Sequence, residues 1–167
     1  MTILFSLALV LLTAAVALLF AMMGELASRV PAPAPATRPV NGVLMGATAH
    51  EWPSGLAPTD ERPMLLVLST ACASCEALAT GLAAHQVRDS VGVVVSTGST
   101  ESGEDFVARH SLGGLPHFID PGGKWVAGNF GVRISPAALR FVDGRLSEAY
   151  TFSDLAALSS EEVHDHA

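Results

Sequence analysis

The sequence predicts an α/β sandwich built on a mixed β-sheet, and three observations point to it. Met64 to Ser69 and Val91 to Ser96 are short apolar runs of the length and aliphatic content expected for strands buried on both faces. A segment of helical composition follows each run, at Glu76 to Val87 and at Glu101 to His110. The C-terminal part changes pattern, with Ala137 to Val142 and Arg145 to Phe152 reading as two strands joined at Asp143-Gly144, a dipeptide suited to a tight hairpin. Alternating strands and helices produce parallel pairs and the hairpin an antiparallel one, so the sheet is expected to be mixed.

The remaining elements follow in order. In the first helix Leu78, Leu82 and Val87 are expected to face the core. His117 to Asp120 is a short strand ending at the turn Pro121-Gly-Gly123. Ser153 is placed to cap a last helix, Asp154 to about Val163, beyond which residues 164–167 form a tail.

Ahead of this domain, Met1 to Gly24 contains no charged side chain, and 20 of the 24 residues are apolar. As a helix, Ile3 to Met23 would be roughly 32 Å long at about 1.5 Å per residue, enough for a hydrocarbon core of about 30 Å. The run is longer than a signal-peptide core and no Lys or Arg precedes it, so a retained transmembrane anchor over 1–24 is expected rather than a cleaved leader. Arg29 and Arg38 follow the span, and the positive-inside bias alone would put the rest of the chain in the cytoplasm. Residues 25–39 read as a linker, with four prolines between Pro31 and Pro39. In polyproline II geometry those nine residues would hold a domain roughly 28 Å from the bilayer, and a tether of no defined length is the other reading. The globular domain is expected over 40–163.

Composition excludes two classes. A chain of 167 residues with 16 acidic and 9 basic side chains, net charge -7, lacks the basic surface of a nucleic-acid binder. Two cysteines cannot make the dense disulfide framework of a small secreted scaffold.

Those two cysteines are nevertheless the most informative residues. Cys72-Ala-Ser-Cys75 follows the first buried strand and opens the following helix. A thiol at a helix N-terminus meets unpaired N–H groups and the positive end of the helix dipole, which favour the thiolate. The spacing lets the second thiol reach the first within one turn, so the pair is arranged to open and close a disulfide. Cys72 would be the exposed nucleophile and Cys75 the buried resolving thiol. Half of a zinc site and a purely structural disulfide are the competing readings, but no second C-x-x-C or H-x3-5-H supplies further ligands and so short a loop restrains the unfolded chain little.

A second motif lies downstream, where Gly131-Val-Arg-Ile-Ser-Pro136 leads into the apolar strand and Gly turn of the hairpin. C-x-x-C at a strand-to-helix junction followed by this pattern resembles the thioredoxin-like thiol-disulfide oxidoreductases, over roughly residues 60–163. The resemblance implies a thioredoxin-like mixed-sheet sandwich in which Pro136 is the cis-proline opposite the cysteines and the Ser135 backbone hydrogen-bonds an extended substrate peptide. Pro116 is the rival position. Cys72 and Pro136 lie 64 positions apart, about 20 more than in the minimal family member, so an added strand-helix insertion is expected around Glu101 to Asn129. Thioredoxin itself carries Trp before the first cysteine, Gly-Pro between the pair and a buried Asp six residues ahead; here those positions hold Ala71, Ala73-Ser74 and Leu66. The peroxiredoxin pattern is only half met, with Leu65 and Ser69 at its Pro and Thr/Ser positions.

In layout, the chain is similar to the membrane-anchored methylamine-utilisation accessory and cytochrome c maturation members of the family. That similarity implies an extracytoplasmic domain with a dedicated protein substrate, a redox partner that resets the dithiol, and no cofactor beyond it. The alternative is a non-catalytic thioredoxin-fold module that holds a client protein or a metal such as copper. His164 and His166 in the tail offer at most two imidazoles, so no metal site is expected. His110 and His117 are candidates for the substrate surface, and Trp52 and Trp125 for domain anchors.

Overall fold

A computed structural model describes residues 37–160, together with Thr13 and Val16, which are both helical. Apart from those two residues the expected span over 3–23 lies outside the described residues, as do the linker up to residue 36, the end of the last helix beyond 160 and the tail 164–167. Among the described residues no helix is long and apolar enough to cross a membrane.

Six strands make one sheet: β1 (Thr37–Pro39), β2 (Met64–Ser69), β3 (Val91–Thr97), β4 (His117–Pro121), β5 (Ala137–Val142) and β6 (Arg145–Phe152), in the spatial order β1-β6-β5-β2-β3-β4. β2 pairs in parallel with β3, and β3 with β4, while β5 runs antiparallel to both β2 and β6. The sheet is therefore mixed, and it changes from parallel to antiparallel at β2, the strand that delivers the cysteines.

Alternation along the central strands explains why both faces are covered. Met64, Leu66 and Leu68 of β2 and Val91, Val93 and Val95 of β3 enter one core with α1 (Ala73–Leu82), α2 (Thr100–Arg109) and α4 (Ala156–Ser160). Leu65, Val67 and Val94 enter a second core with α3 (Lys124–Phe130) and parts of the segment 40–56. Gly92 also points to that face, where a Cβ would come within 2.8 Å of Leu65 Cδ2 and 3.0 Å of Leu56 Cδ1, so the close packing there requires its missing side chain. In the hairpin the register shifts between Arg140 and Phe141, which pair with Glu148 and Leu146. The bulge puts Leu146 and Ala149, of opposite parity, into the same core. Asp143 and Gly144 have φ of 51° and 73°, the two positive values that a two-residue hairpin turn needs.

Several boundaries differ from the sequence reading. The first helix begins at Ala73 with Cys72 as its N-cap and ends at Leu82, and the expected stretch to Val87 is broken at His85. His85 is extended and its ring accepts from the Val87 N–H at 3.2 Å, starting a short 3-10 turn over Gln86–Ser90. Leu78, Leu82 and Val87 are all buried, as expected. Thr37–Pro39, read from composition as the end of the linker, pairs with β6 as an edge strand, a position that tolerates proline. At the other end, the expected cap Ser153 is replaced by Asp154, whose Oδ1 accepts from the Ala156 N–H at 2.9 Å. Within 101–129 the chain forms most of α2, then β4, then α3, a helix whose seven residues were not delimited by any sequence signal. Asp120 fixes its start, accepting from the Trp125 and Val126 N–H groups at 3.0 Å each while almost fully buried.

Candidate active site

β2 ends at Ser69, and after Thr70 and Ala71 the chain reaches Cys72 in extended geometry, φ −122° and ψ 112°. The Cys75 N–H donates to Cys72 Sγ at 3.4 Å, so the thiol does the work of an N-cap oxygen. Ser74 Oγ lies 3.0 Å from the same sulfur. Cys75, one turn into the helix, is fully buried among Leu66, Leu68 and Leu78, and both cysteines are present as free thiols.

The loop from α3 to β5 brings the second motif across 63 residues of sequence, with the Cys72 thiol 3.9 Å from the Ser135 carbonyl oxygen to which it donates. The Ser135–Pro136 peptide bond is cis, and it is the single cis bond among the described residues, so Pro116 does not share that geometry.

These surroundings split the two thiols chemically. Partial burial opposes ionisation of Cys72, but hydrogen bonds from the Cys75 and Ser74 side chains and from their backbone N–H groups outweigh it and hold its pKa below the ordinary thiol value. Burial pushes the Cys75 thiol up to about 12, helped by its hydrogen bond to Cys72 and partly offset by hydrogen bonds from the Ser69 backbone and the Ser135 hydroxyl. One thiol is thus shifted toward the thiolate beside one held protonated. Iodoacetamide, which labels thiolates, is expected to modify Cys72 with a half-maximal rate at a pH below that of a free thiol, and Cys75 only toward about 12. A single labelling event at the ordinary thiol pH would contradict this split. The raised Cys75 value also has a consequence for the reduced fold: the unfolded thiol ionises first, so stability falls as pH rises from the ordinary thiol value toward about 12.

The other candidates take different places. His110 Nδ1 lies 3.0 Å from Thr80 Oγ1 and its ring packs on Phe106, while His117 Nδ1 contacts the Leu115 carbonyl at 2.8 Å. Neither lines the groove beside Cys72. Trp52 and Trp125 belong to an aromatic cluster with Phe118, Phe130 and Phe141, consistent with anchoring. Leu66, at the position of the family's buried Asp, lies in the core with Cys75, so no carboxylate takes that place. Sequence reasoning missed the parts played by Ser74 and the Ser135 hydroxyl. The first was visible as a polar residue inside C-x-x-C, whereas the second depends on a contact made only in three dimensions.

No family model matches the chain, and no curated protein matches it. Solved structures do share its fold. A candidate thiol:disulfide interchange protein DsbE from Chlorobium tepidum aligns with a TM-score of 0.50 and 16% identity, over 71% of this chain and 92% of that one. A candidate protein disulfide isomerase from Bacteroides thetaiotaomicron aligns with a TM-score of 0.50 and 14% identity, over 72% of this chain and 87% of that one. The mixed sheet and its helices therefore have the thioredoxin-like architecture.

Proposed function

We propose that the protein is a thiol-disulfide oxidoreductase that exchanges disulfides with a dedicated protein substrate, held at a membrane by its N-terminal segment. The observation that carries this reading is the pairing of an N-cap thiol of lowered pKa with a buried, protonated thiol one turn away. The Cys72 thiolate attacks one sulfur of a client disulfide, the other client sulfur leaves as a thiolate, and a mixed disulfide joins Cys72 to the client. Cys75 then loses its proton and attacks Cys72 Sγ, releasing the second client thiol and leaving a Cys72–Cys75 disulfide. Two electrons pass to the client, and a redox partner returns them to the protein. In the opposite direction the oxidised pair supplies a disulfide to a client dithiol. The dithiol is itself the redox group, so no further cofactor enters the cycle.

Ser135 and Pro136 take the substrate-binding role in this reading, with Ser135 offering its backbone to an extended client peptide. In this reading the apolar, uncharged run over 1–24 is the anchor and 25–36 the tether, and the domain lies on the extracytoplasmic side, where clients carry disulfides, against the bias of Arg29 and Arg38, which is only two residues strong. Ala71, Ala73 and Ser74 stand where general thioredoxins carry Trp, Gly and Pro, and this departure fits a dedicated client better than broad reductase activity.

A non-catalytic client-binding or metal-binding module is favoured by one observation: Cys75 has a pKa of about 12 and no carboxylate at position 66 to take its proton. Equilibrating the full chain with glutathione or dithiothreitol buffers separates the two. A reversible two-electron Cys72–Cys75 couple between about −120 and −270 mV is expected, the range of working oxidoreductases. A pair that forms no intramolecular disulfide, or stays oxidised far below that range, would select the binding module.

A further inference from the structure

Beside Cys72 a groove of about 320 Å³ opens at the C-terminal ends of β2, β3 and β4, bounded by the start of α3 and the loop leading to Pro136. Ala71, the neighbour of Cys72, and Ser135, whose carbonyl faces the Cys72 thiol, both line it. Residues adjacent to a client cysteine joined to Cys72 therefore lie at its mouth.

The lining of this groove is electrostatically one-sided. It contains Arg133 and no carboxylate, in a chain whose acidic residues outnumber its basic ones by 16 to 9. Most basic side chains of the domain are occupied: Arg62, Arg88 and Arg145 donate to backbone carbonyls, and Arg109 and Arg140 pair with glutamates. Arg133 is exposed and has no such partner among the described residues. Ser96 Oγ, from the end of β3, lines the same groove and makes no hydrogen bond among the described residues. A guanidinium and a free hydroxyl are both donors that a carboxylate satisfies. Next to them Ile134, 46% exposed, provides apolar contact for a peptide rather than for a small ion.

We propose that this groove receives a carboxylate side chain of the client, an Asp or Glu adjacent to the target cysteine, held by Arg133 and Ser96. The client class is then an acidic cysteine-containing segment. The proposal rests on the oxidoreductase reading above and adds a selectivity to it.

The test uses the reduced full chain in detergent and peptides that differ only in carrying Glu, Gln or Lys beside a cysteine capped as a neutral 2-pyridyl disulfide. Cys72 attacks the peptide sulfur and 2-thiopyridone leaves; Cys75 then displaces the peptide thiol, so each turnover oxidises the protein dithiol and reduces the peptide disulfide. The Glu peptide is expected to react about three- to fivefold faster than the Gln peptide at low salt, the scale of one partly exposed ion pair, with the preference shrinking at high salt. Arg133→Gln is expected to bring that ratio near one, Arg133→Lys to retain most of it and Arg133→Glu to favour the Lys peptide. A wild-type ratio near one, or a ratio unchanged in Arg133→Gln, would overturn the proposal. So would a preference for glutathione disulfide over a neutral small disulfide with none among the peptides, which assigns the groove to a small thiol. Absence of exchange with every peptide is a different outcome, because it removes the oxidoreductase reading and the selectivity together.

Discussion

Cys72→Ser is expected to reduce disulfide exchange to the uncatalysed background, while Cys75→Ser is expected to arrest it at the mixed disulfide. The two variants differ because the two sulfurs sit in different environments. Cys72 is the helix N-cap and accepts from the Cys75 N–H, a task that serine performs well, so the hydroxyl keeps the helix start and removes only the nucleophile. Cys75 is fully buried with its pKa near 12, so its replacement leaves the Cys72 thiolate in place and removes the group that releases the client. The captured species is checked by acid-quenched, non-reducing gels and by mass, with the cysteine variants expressed in the native host. Cys75→Ser that captures no protein while the wild type turns over, or Cys72→Ser that retains exchange, would remove the assignment of nucleophile and resolving thiol. Cys72→Ser also controls for adventitious disulfides, since any adduct on it has to involve Cys75.

The central fold was legible because its strands are buried on both faces. β2, β5 and β6 have the spans read from their apolar content and from Asp143-Gly144, and β3 is one residue longer than read. What was not legible depends on partners distant in sequence. Thr37–Pro39 is too short and too rich in proline to read as a strand, and it becomes one only because β6 presents a free edge. The helix α3 has seven residues with a glycine at its N-cap, too few for a periodic pattern, and its start is set by Asp120. His85 interrupts the first helix by capping the Val87 N–H, a local competition that apolar spacing does not reveal.

The candidate site divides along the same line. Cys72 and Cys75 were legible because four residues and one strand end define their placement, and Pro136 because of the motif that precedes it. The polarity around the sulfurs was not. Ser135 reaches Cys72 and Cys75 only when the loop after α3 folds back over β2, and Arg133 shares a groove with Ser96 only through β3. These contacts join segments tens of residues apart, and no spacing rule encodes them.

Phe130→Ala is expected to destabilise the domain by about 3–5 kcal/mol, the range for removing a large buried aromatic ring. Phe130 is 0% exposed and its ring centroid lies 5.3 Å from that of Phe141, 5.6 Å from Trp125 and 5.8 Å from Trp52. It therefore ties α3 and β5, which the 131–136 loop connects, to the segment 40–56, which is distant from both in sequence. Its carbonyl accepts from the Leu44 N–H at 3.0 Å, and the next residue, Gly131, has φ of +74° with a position where a Cβ would come within 2.6 Å of the Gly42 carbonyl oxygen. The chain cannot easily shift there to fill the cavity, which places the cost in the upper part of that range rather than the lower. A loss of this size is a large fraction of the roughly 5–15 kcal/mol that holds a domain folded. Phe130→Leu, which keeps most of the volume, is expected to cost only about 1–2 kcal/mol. Urea unfolding of both variants checks the difference. Because the loop from Gly131 to Pro136 starts directly at this ring, exchange by Phe130→Ala is expected to weaken even at temperatures where the protein remains folded. A cost below about 1 kcal/mol for Phe130→Ala would mean that the cluster closes over the cavity, and that the loop carrying Arg133 and Ser135 is held by other contacts.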